Sequence, residues 1–282
     1  MPASEELKAI VDQIPEPAKN GTYVDMDAEK MERIDKAVLQ LRKGGPDSVL
    51  GLIDMLVEPG KGDDVKAHFA LHLLAVRLTT PGEEEARGKF ALAVASQLAG
   101  GRPNAVKKYL IEQLQVAGGK EVVEALGKAL LEAELCDTAA RALAAIRDGA
   151  AEALLAALPK VQGRSRLSVI KKLAVLRAEQ AGGAFRQALA DADPDIRIAA
   201  AWGIARIADA SAAGALLKTA EAHEGWERIN ETDACLVLAD HLVAAGKKAA
   251  AAAIYTHLQK TRTGDAEFHV RDAAARGLAA AR

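Results

Sequence analysis

The chain has 282 residues, 50% hydrophobic, 27% charged and only 3% aromatic, and its 37 basic and 39 acidic residues leave a formal net charge of −2. Ala, the strongest helix former, fills 62 positions, and the residues that populate strands are scarce, which excludes a large β-sandwich or barrel. Normal apolar content excludes disorder, and the balanced charge argues against nucleic acid as a partner, because phosphate contacts call for a basic excess.

In chain order, a short helix is expected near Glu5 to Ile14, followed by an irregular stretch from Pro15 to Asp27. Helical spacing then shows at Val49, Leu52, Ile53 and Leu56, in DDVKAHFALHLLAV from Asp63, and in NAVKKYLIEQLQV from Asn104. It continues at Val122, Val123, Leu126 and Leu130, from Leu135 to Leu158, from Leu167 to Arg177, and from Pro194 to Ala220. A unit starting near 226 and the closing stretch HVRDAAARGLAAA complete about fifteen helices beyond the first short one. Pro46, Pro81, Pro103 and Pro194 suit first-turn positions, and the Gly pairs at 44–45, 100–101, 118–119 and 182–183 suit helix ends. The longest run without Asp, Glu, Lys or Arg is Phe90 to Gly101, too short for a membrane span of about 20 residues. The opening MPASEELKAI has no apolar core behind a basic start, so the cytoplasm is the default compartment, with export following if a leader was removed.

The helices repeat. Aligning Asp209 with Asp148 sets Ile204 on Leu143, Gly203 on Ala142 and Ile207 on Ile146. The last stretch sets Val270 on Ile196, Arg271 on Arg197, Gly277 on Gly203 and Leu278 on Ile204, while Lys66 and Lys107 fall on the Arg197 position. Motif helices start near 64, 104, 135, 165, 194, 226 and 266, a spacing of 30 to 40 residues that marks stacked helix pairs sharing one core. The pattern D-x-x-V-R-x-x-A-x-x-x-L resembles a HEAT repeat of the phycobilin-lyase type, carried best by Asp193, Ile196, Arg197, Ala200 and Ile204, then by Val270, Arg271, Ala274 and Leu278. The region 225–260 is similar instead to a tetratricopeptide unit, through Leu238, Ala239, Leu242, Gly246, Ala250 and Tyr255. The resemblance implies an all-α fold, an α-solenoid forming a right-handed superhelix of about seven helix pairs over residues 46–282, with 1–45 as an N-terminal extension. In this family the Arg197 position commonly ties neighbouring repeats together.

Chemistry-bearing motifs are sparse. His68 and His72 lie one turn apart, but Phe69 stands where a zincin helix needs Glu, so a buried or half-buried structural role is expected. His223-Glu224 is a single His-Glu pair, where HEAT-like di-iron hydroxylases carry several. Cys136 and Cys235 sit in apolar patterns and read as buried thiols. No phosphate loop or nucleophile elbow is present, and no catalytic residue, metal or cofactor is expected.

Binding residues are easier to nominate. Five residues beyond the Arg197 position stand Leu71, Glu112, Arg141, Trp202 and Arg276, a mixture that argues against a core position. Glu112, Arg141, Trp202, Arg206 and Arg276 are therefore the candidate partner contacts, and Trp226 is expected to pack a turn. Lys160, Arg164, Arg166, Lys171, Lys172, Arg177 and Arg186 face only Glu179 between 160 and 186, a basic patch fit for an acidic surface. The expected function is a non-catalytic scaffold presenting a concave groove to a protein partner, with no membrane role. The alternatives are an enzyme on the same solenoid (a metal-dependent hydroxylase, a bilin-lyase-like protein or a DNA glycosylase) and a self-assembling element.

Overall fold

The computed structural model describes residues 4–16 and 27–281, so most of the stretch expected to be irregular, 15–27, lies outside the described residues. No strand occurs among the described residues. The helices are α1 (Glu5–Val11), α2 (Ala28–Asp54), α3 (Val65–Arg77), α4 (Glu84–Ser96), α5 (Asn104–Ala117), α6 (Val123–Ala129), α7 (Cys136–Ile146) and α8 (Ala150–Ala157). They continue as α9 (Gly163–Val175), α10 (Gly182–Ala188), α11 (Pro194–Arg206), α12 (Ala213–Ala222), α13 (Gly225–Ala244), α14 (Lys248–Thr261) and α15 (Phe268–Ala280). The seven motif helices are α3, α5, α7, α9, α11, α13 and α15, and each begins within three residues of its expected start. Each follows another helix in sequence, and α2 packs on α3, α4 on α5, α6 on α7, α10 on α11, α12 on α13 and α14 on α15.

The chain divides into two compact units, Met1–Ala153 and Leu154–Arg282. In the first, α3 packs on α5 and α5 on α7, while α2 packs on α4 and α4 on α6. In the second, α9, α11, α13 and α15 pack in one continuous row, with α10, α12 and α14 laid against that row. This is the α-solenoid arrangement, in which each pair buries its apolar face against the next.

Local chemistry sets the boundaries. Ser4 and Asp27 cap α1 and α2 by accepting from Leu7 N and Lys30 N, and Asp193 caps α11 by accepting from Asp195 N, with Pro194 in the first turn. Gly45 breaks α2 with φ 57° and ψ −140°, and Pro46 opens its second segment, as the Gly-Pro punctuation implies. Three punctuation readings need correction, the first being Pro103, which is the residue before α5 and not in its first turn. Pro81 lies in the turn before α4, and Gly182-Gly183 open α10 instead of closing a helix. The left-handed residue that ends α9 is Arg177 (φ 52°), with positive φ also at Arg147 (φ 69°) after α7 and Ala208 (φ 52°) after α11. Arg177 and Ala208 share one pattern of terminal backbone bonds and make the same reversal without glycine, whereas Arg147 (ψ −52°) makes a different turn.

The motif's small residues are packing notches. A Cβ on Gly203 of α11 would come within 2.6 Å of the Phe185 ring of α10, and one on Gly277 of α15 would strike the Tyr255 ring of α14. In both pairs an aromatic ring from the first helix fills the notch in the second. Leu71 corrects the expectation that its column avoids the core, because it is fully buried in α3. Trp226, expected to pack a turn, is instead 71% exposed.

Gly203→Ala should lower the unfolding free energy by about 1–3 kcal/mol through overpacking, although Ala is the better helix former. Gly88→Ala in α4, where a Cβ would meet nothing within 4 Å, should raise it by about 1 kcal/mol. Urea titrations of both variants check the pair, and equal shifts of the same sign would contradict the notch.

Candidate functional site

The repeated basic position works as a tie. Arg197 of α11 places Nη1 on the carbonyls of Asp191 (2.6 Å) and Ala192 (3.1 Å), and holds Glu227 of α13 with Nε at 2.5 Å and Nη2 at 2.8 Å. Arg271 donates to the carbonyls of Arg262 and Gly264, both at 2.7 Å. Lys66 reaches Glu16 at 2.5 Å and Lys107 reaches Glu132 at 3.6 Å. All four positions join a motif helix to a neighbouring segment.

The column five residues further on reaches the surface everywhere except at Leu71. In the first unit, Arg141 of α7 lies 3.7 Å from Glu112 of α5 and 3.5 Å from its own Asp137. In the second unit, the Arg206 guanidinium lies 4.6 Å from the centre of the Trp202 ring, a cation–π distance. Arg276 pairs with Asp272, one turn earlier in α15.

The basic patch separates into two sets. Arg166 pairs with Asp191 at 3.0 Å and Arg186 pairs with Asp209. Lys160, Arg164, Lys171, Lys172 and Arg177 have no acidic partner within 4 Å among the described residues. Burial first, and the neighbouring positive charge of Arg177 second, push Arg206 below the usual guanidinium range. α9 packs against α11, the helix that carries the Trp202–Arg206 stack. Arg206 Nε is buried and has no hydrogen-bond partner among the described residues.

A second cluster lies at the junction of α12 and α13. His223 follows α12 in extended conformation, and Gly225 (φ 56°) allows the reversal that starts α13. Glu227 and Glu231 come one turn apart on one face of α13. His223 Nδ1 lies 3.1 Å from Glu227 Oε1 and 2.9 Å from Glu231 Oε2. The adjacent Glu224 is not part of the group that converges on His223. Glu231 is fully buried, and its Oε1 has no hydrogen-bond partner among the described residues. Loss of solvation holds Glu231 above the usual carboxylate range, whereas the Arg197 hydrogen bonds hold Glu227 below it.

Arg262, 1% exposed, ties the end of α14 to α12 and α13. Its Nη2 donates to Ala220 O and Thr232 Oγ1, each at 3.1 Å, and its Nε lies 3.6 Å from Glu267 Oε1, which also accepts from Arg228 at 3.0 Å. Cys235, one turn beyond Glu231, is a buried thiol pushed up to about 12, chiefly by loss of solvation. Cys136 is likewise a buried thiol.

The other histidines have separate partners. His68 lies against Tyr109, with ring centres 4.3 Å apart, and 3.2 Å from an Asp64 carboxylate oxygen. His72 is exposed, contrary to its expected burial, and meets Gln113 Oε1 at 3.0 Å. Sequence reasoning paired His223 with its immediate neighbour and missed Glu227 and Glu231. The signal was the spacing H-x-x-x-E-x-x-x-E in HEGWERINE, read at helical instead of adjacent register.

No family model matches the chain, and no curated protein matches it. Among solved structures, the chain is similar to an engineered protein at 20% identity, covering 98% of this chain and 78% of that one, with a TM-score of 0.43. It is also similar to a second engineered protein at 18% identity, covering 99% and 97%, with a TM-score of 0.30. Human deoxyhypusine hydroxylase, solved in complex with glycerol, matches at 16% identity over 98% and 96% of the two chains, with a TM-score of 0.32. These are distant likenesses of fold and carry no activity across. The helix-pair repeat is shown by the chain's own geometry, and no helix among the described residues is long and apolar enough to cross a membrane.

Arg262→Ala would leave the Ala220 carbonyl and the Thr232 hydroxyl without their buried donor. Its unfolding free energy should fall by about 3 kcal/mol, and Arg262→Lys should recover only part of this. A urea midpoint unchanged from wild type would show that the guanidinium ties nothing together.

Proposed function

We propose that the protein is a non-catalytic scaffold that binds an acidic segment of a protein partner along its motif-bearing helices. One observation carries this reading. The Trp202–Arg206 stack lies on α11, which packs against α9, and the five cations on and flanking α9 have no acidic partner among the described residues. Unpaired cations next to an accessible aromatic ring supply steering and an anchor, and Trp and Arg dominate the energetics of protein interfaces. Trp226, Ile229 and Phe268 add large exposed apolar side chains at the starts of α13 and α15. The HEAT-like pattern of the phycobilin-lyase type, the tetratricopeptide-like unit at 226–260 and a concave face along the motif helices belong to the same proposal. Arg276 of the same unit would extend the contact surface, and Glu112 with Arg141 would be a separate candidate contact on the first unit.

Native mass spectrometry of the protein purified gently from its own source tests this, with a Trp202→Ala/Arg206→Ala variant prepared in parallel. The wild type should carry the extra mass of a polypeptide that is stripped at about 0.5 M salt, where screening has shortened to a few ångströms. The variant should hold that polypeptide at least about 30-fold more weakly. A bare chain in both preparations, or equal retention in both, would refute the reading.

A further inference from the structure

We propose that His223, Glu227 and Glu231 form a binding site for one divalent transition-metal ion of the zinc class. The three side chains offer one imidazole nitrogen and two carboxylate oxygens within 4.8 Å of one another, and no other His, Cys, Asp or Glu trio among the described residues converges in this way. Tetrahedral zinc with bonds of about 2.0–2.1 Å sets neighbouring donor atoms roughly 3.3 Å apart. The two spacings from His223 Nδ1, 2.9 and 3.1 Å, need to open by only a few tenths of an ångström.

A second observation points to a ligand independently of this spacing. Glu231 is fully buried, yet its Oε1 has no partner among the described residues, which is costly for a carboxylate. A cation between Oε2 and His223 would offset that charge. Arg197 holds both Glu227 oxygens, Oε1 through Nε and Oε2 through Nη2, and would act as the supporting shell, with Oε1 shared between Arg197 and the ion. The His223 side chain, 26% exposed, gives an ion a route in from solvent. The mixed nitrogen and oxygen donors disfavour calcium and magnesium, which take oxygen ligands, and copper(I), which takes sulfur. No cysteine joins the cluster, because the Cys235 thiol is outside the converging group.

The test uses the full chain without added histidines, stripped by a chelator and titrated with Co²⁺, whose visible absorption reports low-coordinate binding. One equivalent should bind. His223→Gln and Glu231→Gln should each lose at least about 100-fold in affinity, Arg197→Lys about tenfold, and Glu224→Gln nothing. X-ray absorption of the zinc-loaded wild type should show a single imidazole with oxygen donors and no sulfur, a readout that stands if a variant fails to fold. No saturable uptake by the wild type, uptake unchanged in both ligand variants, or a shell with two imidazoles or sulfur would overturn the site.

Discussion

Everything in the second unit depends on how closely the two helices of a pair can approach. At α11 and α15 the approach is set by a glycine that receives an aromatic ring from the helix before it, Phe185 in one pair and Tyr255 in the other. The ring is large enough to hold the pair together and too large to tolerate even a methyl group in the notch. The abundance of Ala serves the same end over the rest of the interface, where Ala199, Ala200, Ala201 and Ala205 are buried on α11. With the spacing of pairs fixed, the side chains at the ends of the motif helices acquire fixed neighbours, and ties such as Arg197 to Glu227 become geometrically available.

Charged residues then divide into two roles. Arg197, Arg262 and Arg271 are engaged by backbone carbonyls and, for the first two, half-buried carboxylates, and they satisfy acceptors that helix ends would otherwise leave open. Lys160, Arg164, Lys171, Lys172 and Arg177 satisfy nothing inside their unit among the described residues. The first role explains the fold, and the second carries the functional reading, because a cation without an internal duty has its charge available to a partner. Arg177 shows how local the distinction is. It ends α9 in the left-handed conformation, an unfavourable one for a residue that carries a Cβ, and its charge is felt by the Arg206 that stacks on Trp202.

Much of the fold was legible because it is periodic. Gly203 and Gly277 align, and both prove to be ring-filled notches; Arg197 and Arg271 align, and both bind carbonyls. Periodicity failed where the unit carries an individual duty. Leu71 shares a column with Trp202, yet it is buried, since the same register can face different neighbours in different pairs. Gly182-Gly183 looked like a terminus because glycine usually supplies the left-handed residue, but Arg177 had already supplied it. The His223 cluster was invisible to a search for adjacent motifs, because it is assembled by a helix turn and by the reversal at Gly225. The burial of Glu231 could not be read from a polar residue in a polar stretch.

The helix row also governs how the chain reaches this structure. Within each unit the packed pairs are neighbours in sequence or next-nearest neighbours, such as α9 on α11 or α3 on α5. Little loop-closure entropy therefore precedes the first rewarding contacts, and such low contact order favours fast folding by local growth. The reverse process starts where a helix has a neighbour on one side only. In the second unit that is α15, so amide exchange should be fastest there and slow progressively toward α11, giving the unit a gradient of protection instead of a single threshold.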